Sequence, residues 1–138
     1  MSKTEELVQA CFTGRLNLVR SLVEEGVDIN AMGRIWNPLH AAIENEQIDV
    51  INYLLTSGAD IEYPCGGMRP LHHAIDLEID AASQADEPEN ANTTLTRLLL
   101  DAGADINGTD GEGKTPLQMA LERGHEKAER LLRARGAA

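Results

Sequence analysis

Aromatic side chains are almost missing from this sequence of 138 residues: Phe12, Trp36, Tyr53 and Tyr63 are the whole set. A core so poor in rings must be assembled from Leu, Ile, Val and Ala, which suits thin stacked helices better than a barrel or a sandwich. Cysteine is scarce too. Cys11 and Cys65 stand alone, neither in a Cys-x-x-Cys pair, so no disulfide framework or zinc site is visible. Cys65 is expected to be an ordinary surface thiol. Positive charge is in deficit: 12 Lys and Arg against 23 Asp and Glu give a formal net charge of −11. The basic footprint that nucleic-acid binding requires is therefore missing. No apolar run approaches the ~20 residues of a membrane span. The opening stretch Met1-Ser2-Lys3-Thr4-Glu5-Glu6 carries no apolar leader segment. The expectation is a cytoplasmic protein that engages neither nucleic acid nor membrane.

What remains is enough to fold. Apolar residues make up 42% and charged residues 25%, the balance of a globular chain. The length fits one domain, expected to span residues 1–138. The charge is uneven. Residues 76–112 hold ten acids (Asp76, Glu78, Asp80, Asp86, Glu87, Glu89, Asp101, Asp105, Asp110, Glu112) against one base, Arg97. Residues 114–138 hold six bases against three acids.

Two markers recur in step. Gly26-Val27-Asp28-Ile29-Asn30, Gly58-Ala59-Asp60-Ile61-Glu62 and Gly103-Ala104-Asp105-Ile106-Asn107 are near copies, and Gly136-Ala137-Ala138 is a fourth, truncated one. Their glycines are 32, 45 and 33 residues apart. Asn37-Pro38-Leu39-His40, Arg69-Pro70-Leu71-His72 and Thr115-Pro116-Leu117-Gln118 repeat alongside, with prolines 32 and 46 apart. Each unit has a local physical logic. A proline at the first helical position pre-sets φ and loses no hydrogen bond. Asn37 and Thr115 precede theirs as N-caps, whereas Arg69 cannot cap. Gly26, Gly58 and Gly103 should end second helices in the left-handed conformation.

These residues resemble the ankyrin repeat, with T-P-L-H-x-A near the start and L-L-x-x-G-A-D near the end of about 33 residues. The resemblance covers residues 4–138 and implies an all-α solenoid of helix-turn-helix units joined by short β-hairpin loops. Four repeats are expected, at about 4–30, 31–62, 63–107 and 108–138. The third carries about 13 extra residues near 79–91, read as a first helix prolonged to about Gln84 and then an acidic loop. Glu129 and Arg133 replace apolar residues in the last helix, as a solvated terminal face would require. The resemblance also implies that His40 and His72 bond nearby backbone and tie the turns of neighbouring repeats.

No nucleophile–base–orienter set is visible. Cys65-Gly66-Gly67 lacks the Lys and Ser/Thr of a phosphate loop. His72 and Asp76, four apart with His73 adjacent, are too few and too mixed for a metal site. The chain is thus expected to be no enzyme and to need no cofactor or metal. The resemblance instead points to protein binding through hairpin tips and the exposed side of the first helices. Two residues before each proline stand Trp36, Met68 and Lys114, and Met32, Arg34, Ile35, Tyr63 and Glu112 complete the candidate tip set. Trp, Tyr, Met and Arg are favoured at interface hot spots. The alternative is that Trp36 and Ile35 merely pack on the next hairpin. On the first helices, Phe12, Glu44, Asn45, Asp76, Leu77, Glu122 and Arg123 match groove-facing positions. The acidic block favours a basic protein partner, met by a chain that is monomeric when free. Small acidic ankyrin proteins look like bacterial immunity or antitoxin proteins, so an inhibitory role leads. A generic scaffold or adaptor is the alternative, and an inhibitor of cell-cycle kinases is similar in size and repeat count.

Overall fold

The computed structural model describes residues 1–83 and 92–138. They form eight α-helices, with no strand beyond bridge positions at Cys65 and Met68. The chain divides into two compact units, residues 1–65 and 66–138. All four aromatic residues belong to the first.

The first unit contains α1 (Lys3–Thr13), α2 (Leu16–Glu24), α3 (Pro38–Glu44) and α4 (Ile48–Thr56). Local chemistry sets their ends. The Ser2 hydroxyl accepts from the Glu5 amide at 3.1 Å and starts α1. Asn37 Oδ1 accepts from the His40 amide at 3.0 Å and starts α3, with Pro38 at its first position. Helix α1 packs on α3 and α2 on α4, and each helix also packs on its hairpin partner. Between them Leu7, Val19, Leu22, Leu39, Ile43, Ile51 and Leu54 are at most 1% exposed. Each such side chain contributes about 1.5–3 kcal/mol by leaving water. Ala41 and Ala42, also fully buried, let the helices approach closely.

The second unit contains α5 (Pro70–Ser83), α6 (Thr94–Asp101), α7 (Pro116–Glu122) and α8 (Glu126–Ala134). Helix α5 packs on both α6 and α7, and α7 on α8. At 14 residues α5 is twice the length of α7. Gln84 and the acids Asp86, Glu87 and Glu89 lie outside the described residues. Thr115 and Gln118 close a reciprocal cap on α7: the Gln118 amide donates to the Thr115 hydroxyl at 3.2 Å, and the Thr115 amide donates to Gln118 Oε1 at 2.8 Å. The glutamine that replaces the motif histidine is what makes this possible. In α8 Glu129 and Arg133 pair along one face at 3.1 Å.

The recurring glycine has one geometry throughout. Gly26, Gly58, Gly103 and Gly136 sit at φ 98°, 96°, 98° and 95°, where a Cβ would be strained. The residue after each reaches back to a buried leucine carbonyl: Val27 to Leu22, Ala59 to Leu54, Ala104 to Leu99 and Ala137 to Leu132, at 2.9–3.1 Å. The aspartates that follow also have a local task. Asp28, Asp60 and Asp105 accept from the amides of Asn30, Glu62 and Asn107 at 2.9–3.0 Å, folding the turn.

Candidate functional site

Helix α1 buries Leu7, Ala10 and Cys11. A second face, at Glu5, Val8, Gln9 and Phe12, follows the i, i+3, i+4, i+7 spacing and meets the tip before α3. That tip is closed by the Gly33 amide donating to the Trp36 carbonyl at 2.9 Å. It leans so near α1 that a Cβ on Gly33 would lie 3.2 Å from Val8. Between tip and helix is an open pocket of about 240 Å³, lined mainly by Met1, Val8, Phe12, Arg34, Ile35 and Trp36. Ile35 is 70% exposed and Phe12 40%. Trp36 is half-buried, its ring parallel to His40 with centroids 6.1 Å apart. His40 itself is fixed by its Nε2, which donates to the Tyr63 carbonyl at 2.7 Å and ties α3 to the turn after α4.

In the same unit the structure corrects one expectation. Cys65 is buried, 2% exposed, not a surface thiol. Its Sγ lies 3.5 Å from Sδ of Met32, a residue 43% exposed. Burial raises the Cys65 thiol above its ordinary range, against the lowering effect of the Asn37 backbone amide. Burial pushes Cys11 up to about 12. Both thiols are held in the unreactive form.

The second unit carries a different surface. At the tip before α7, Asp110 Oδ1 accepts from the amides of both Glu112 and Lys114 at 2.9 Å. Desolvation alone would raise the Asp110 carboxyl; the two backbone donors outweigh it and hold the group below the usual carboxylate range. His72 Nε2 donates to the Lys114 carbonyl at 2.9 Å, so both motif histidines brace a tip through its backbone. Arg69 also has a use. Its Nε donates to the Thr109 carbonyl at 2.9 Å, latching α5 to the same tip. A cleft of about 330 Å³ opens there between Met68, Met119, Glu112, Glu122, Lys114 and Arg123. Lys114 Nζ lies 2.8 Å from Glu122 and 3.2 Å from Glu112, and these two contacts raise its pKa. Arg123 joins Asp76 at 2.8 Å and Asp80 at 2.5 Å, and Asp76 contributes most to raising its pKa.

Phe12, Arg34, Ile35 and Trp36 therefore meet at one pocket, and Met68, Glu112, Lys114 and Arg123 at another. Met32, Glu44, Tyr63 and Asp76 fall outside both linings. Asp76 and His72 are committed to Arg123 and to the Lys114 carbonyl. Among the described residues no group of three or more His, Cys, Asp or Glu is placed to hold a metal, and no helix is long and apolar enough to cross a membrane. Sequence reasoning missed Val8 and Met119, which line the two pockets. The signal for Val8 was present, as the i+3 step from Glu5 and the i−4 step from Phe12.

Comparison with known proteins agrees with this architecture. Models of ankyrin repeats match residues 7–84 and 79–133. A putative ankyrin repeat protein, YahD of Escherichia coli, is 32% identical over 134 residues, 93% of this chain and 61% of its own. BRCA1-associated RING domain protein 1 of Caenorhabditis elegans is 30% identical over 116 residues, 83% of this chain but 15% of its own. An ankyrin repeat, SAM and basic leucine zipper protein of Ornithorhynchus anatinus is 29% identical over 131 residues, 94% of this chain and 26% of its own. The chain thus spans less than two thirds of each of these relatives.

Proposed function

The chain belongs to the ankyrin-repeat family, and from that premise we propose that it binds and neutralises a partner protein with a basic surface. Ankyrin repeats are modules for binding other proteins. The observation that carries the reading is the apolar pocket of the first unit. Ile35 stands 70% exposed beside Phe12, at the mouth of a pocket that Trp36 walls. Exposed apolar groups gathered at one preformed concavity favour a partner side chain that displaces water. The net charge of −11 supports the choice of a basic partner, which such a field draws in and orients. It also opposes self-association, so the free protein is monomeric in this reading. Residues 34–36 and Phe12 are the anchors, and neutralisation follows from covering the partner's basic surface.

The test is capture of a partner from native lysate on the immobilised protein, compared with the Ile35→Asp variant. Ile35 packs little, so the variant should keep its thermal midpoint. Burying Ile35 in an interface is worth ~2 kcal/mol, so the variant should lose at least tenfold in affinity. Equal capture by both proteins would refute the pocket's role. A captured partner that is acidic, or whose activity is unchanged in the complex, would refute the neutralising reading and leave a scaffold.

A further inference from the structure

The cleft of the second unit combines three features. Its floor is bare backbone: the Gly111 amide donates to the Gly67 carbonyl at 2.7 Å, and a Cβ on Gly111 would lie 3.3 Å from Gly67 Cα. Met68 and Met119, both half-buried, supply polarizable apolar walls. Its rim is anionic. Asp110, Glu112 and Glu122 line it together with Lys114 and Arg123, and Arg123 is already held by Asp76 and Asp80. Three carboxylates thus line the cleft beside two cations, and Asp76 and Asp80 neutralise one of those cations from outside the lining. Glu112 and Glu122 are 75% and 56% exposed, leaving acceptor positions beyond those that Lys114 uses.

We propose that this cleft accepts an arginine side chain of the bound protein, its guanidinium lying flat on the glycine floor between Met68 and Met119 and paired with Glu112 and Glu122. Lys114 is the intramolecular tenant of the same carboxylates, and its ammonium at 2.8 and 3.2 Å shows that they converge on one cation. A guanidinium fits better than a second ammonium for two reasons. Its planar fork bonds two carboxylates at once, and its weakly hydrated face stacks on flat or polarizable surfaces. The partner context rests on the proposed function, but the cleft can be probed without the partner.

The protein has four methionines, of which Met68 and Met119 line this cleft and Met1 the apolar pocket. Methyl-labelled methionine therefore gives NMR signals that separate the two sites. The probe is a capped alanine-rich peptide with one central arginine, titrated beside its lysine and norleucine counterparts. The arginine peptide should shift the Met68 and Met119 methyls saturably and leave Met1 still. The lysine peptide should bind several-fold more weakly, and the norleucine peptide should give no saturable shift. The double variant Glu112→Gln, Glu122→Gln should weaken the arginine peptide at least tenfold, and Lys114→Ala should tighten it several-fold by removing the tenant. Saturable shifts equal for norleucine or lysine, no saturable shift with arginine, or weaker binding to Lys114→Ala would overturn the proposal. Failure here with intact capture through Ile35 rejects the arginine site alone. Failed capture rejects the partner reading, while the peptide titration still reports on the cleft.

Discussion

Glu78 on α5 is 4% exposed, and its carboxylate holds the first turn of α6. It accepts from the Leu95 amide at 3.0 Å, from the Thr96 amide at 3.2 Å, and from the Thr96 hydroxyl. Thr93, at the capping position of α6, makes no side-chain cap bond of its own. A residue on one helix therefore caps the next, and its negative charge lies at the positive end of the α6 dipole. Glu78→Ala strips three donors of their acceptor in a buried place. A hydrogen bond to a charged group is worth ~1.5–3 kcal/mol and a lost cap ~1 kcal/mol, but water can enter the vacated space and rehydrate part of the turn. The expected net loss is about 3 kcal/mol, a fall of roughly 10 °C in thermal midpoint for a domain of this size. Glu78→Gln keeps an acceptor but not the charge, and should lose about half as much. Native-state hydrogen exchange gives the sharper assay. The Leu95 and Thr96 amides should lose protection by about two orders of magnitude, while the Leu54 amide in the first unit serves as an internal reference. Glu112→Ala, at a carboxylate 75% exposed, is the control and should change stability by less than ~0.5 kcal/mol. If Glu78→Ala unfolds within ~0.5 kcal/mol of the parent and leaves Leu95 and Thr96 protected, α6 does not depend on this cap and the reasoning is wrong.

Two further outcomes follow from the same geometry. Asp110→Asn keeps an Oδ1 acceptor for the two backbone donors but loses the charge, and should cost at most about 1 kcal/mol at pH 7. Because the folded-state pKa of Asp110 is lowered, its stabilisation is present above the ordinary carboxylate value of ~3.9 and is lost as pH falls through the folded value. Urea midpoints of parent and variant should therefore converge as pH falls below the ordinary carboxylate value, and a gap that stays constant to the acid limit of folding would contradict the assignment. Cys11 and Cys65 are buried with raised pKa values, so neither should react with a thiol reagent at pH 8 in the native protein, and both should react once urea unfolds it. Rapid native labelling of Cys65 would mean that its site opens readily.

The sequence made legible whatever is local and periodic. Pro38 and Pro116 with their caps and the glycines at 26, 58 and 103 could be read because each depends on neighbours at fixed offsets, whereas the backbone bonds of His40 and His72, to acceptors 23 and 42 residues on, followed only from the family resemblance. What escaped depends on contacts between distant residues. Glu78 and Thr96 are 18 positions apart across the longest interruption of the period, so no spacing rule connects them. Arg69 could be read only as a failed cap, since its acceptor, Thr109, lies 40 residues on. Asp76 and Arg123 were each assigned to a binding surface separately, and only the packing of α5 on α7 shows that they meet. Cys65 beside two glycines reads as exposed turn, yet the chain folds it beneath Met32.

The confinement of every Phe, Trp and Tyr to residues 1–65 makes the two halves spectroscopically unequal. Absorbance near 280 nm and intrinsic fluorescence arise wholly from the first unit, from Trp36 against His40, from Tyr53 under Arg20 and from Tyr63. The second unit is dark at those wavelengths and shows itself only through its helices in the far ultraviolet. One denaturation followed by both signals thus amounts to a built-in pair of reporters. Coincident curves would mark a single cooperative melt, whereas separated curves would rank the stabilities of the two units without any label or mutation.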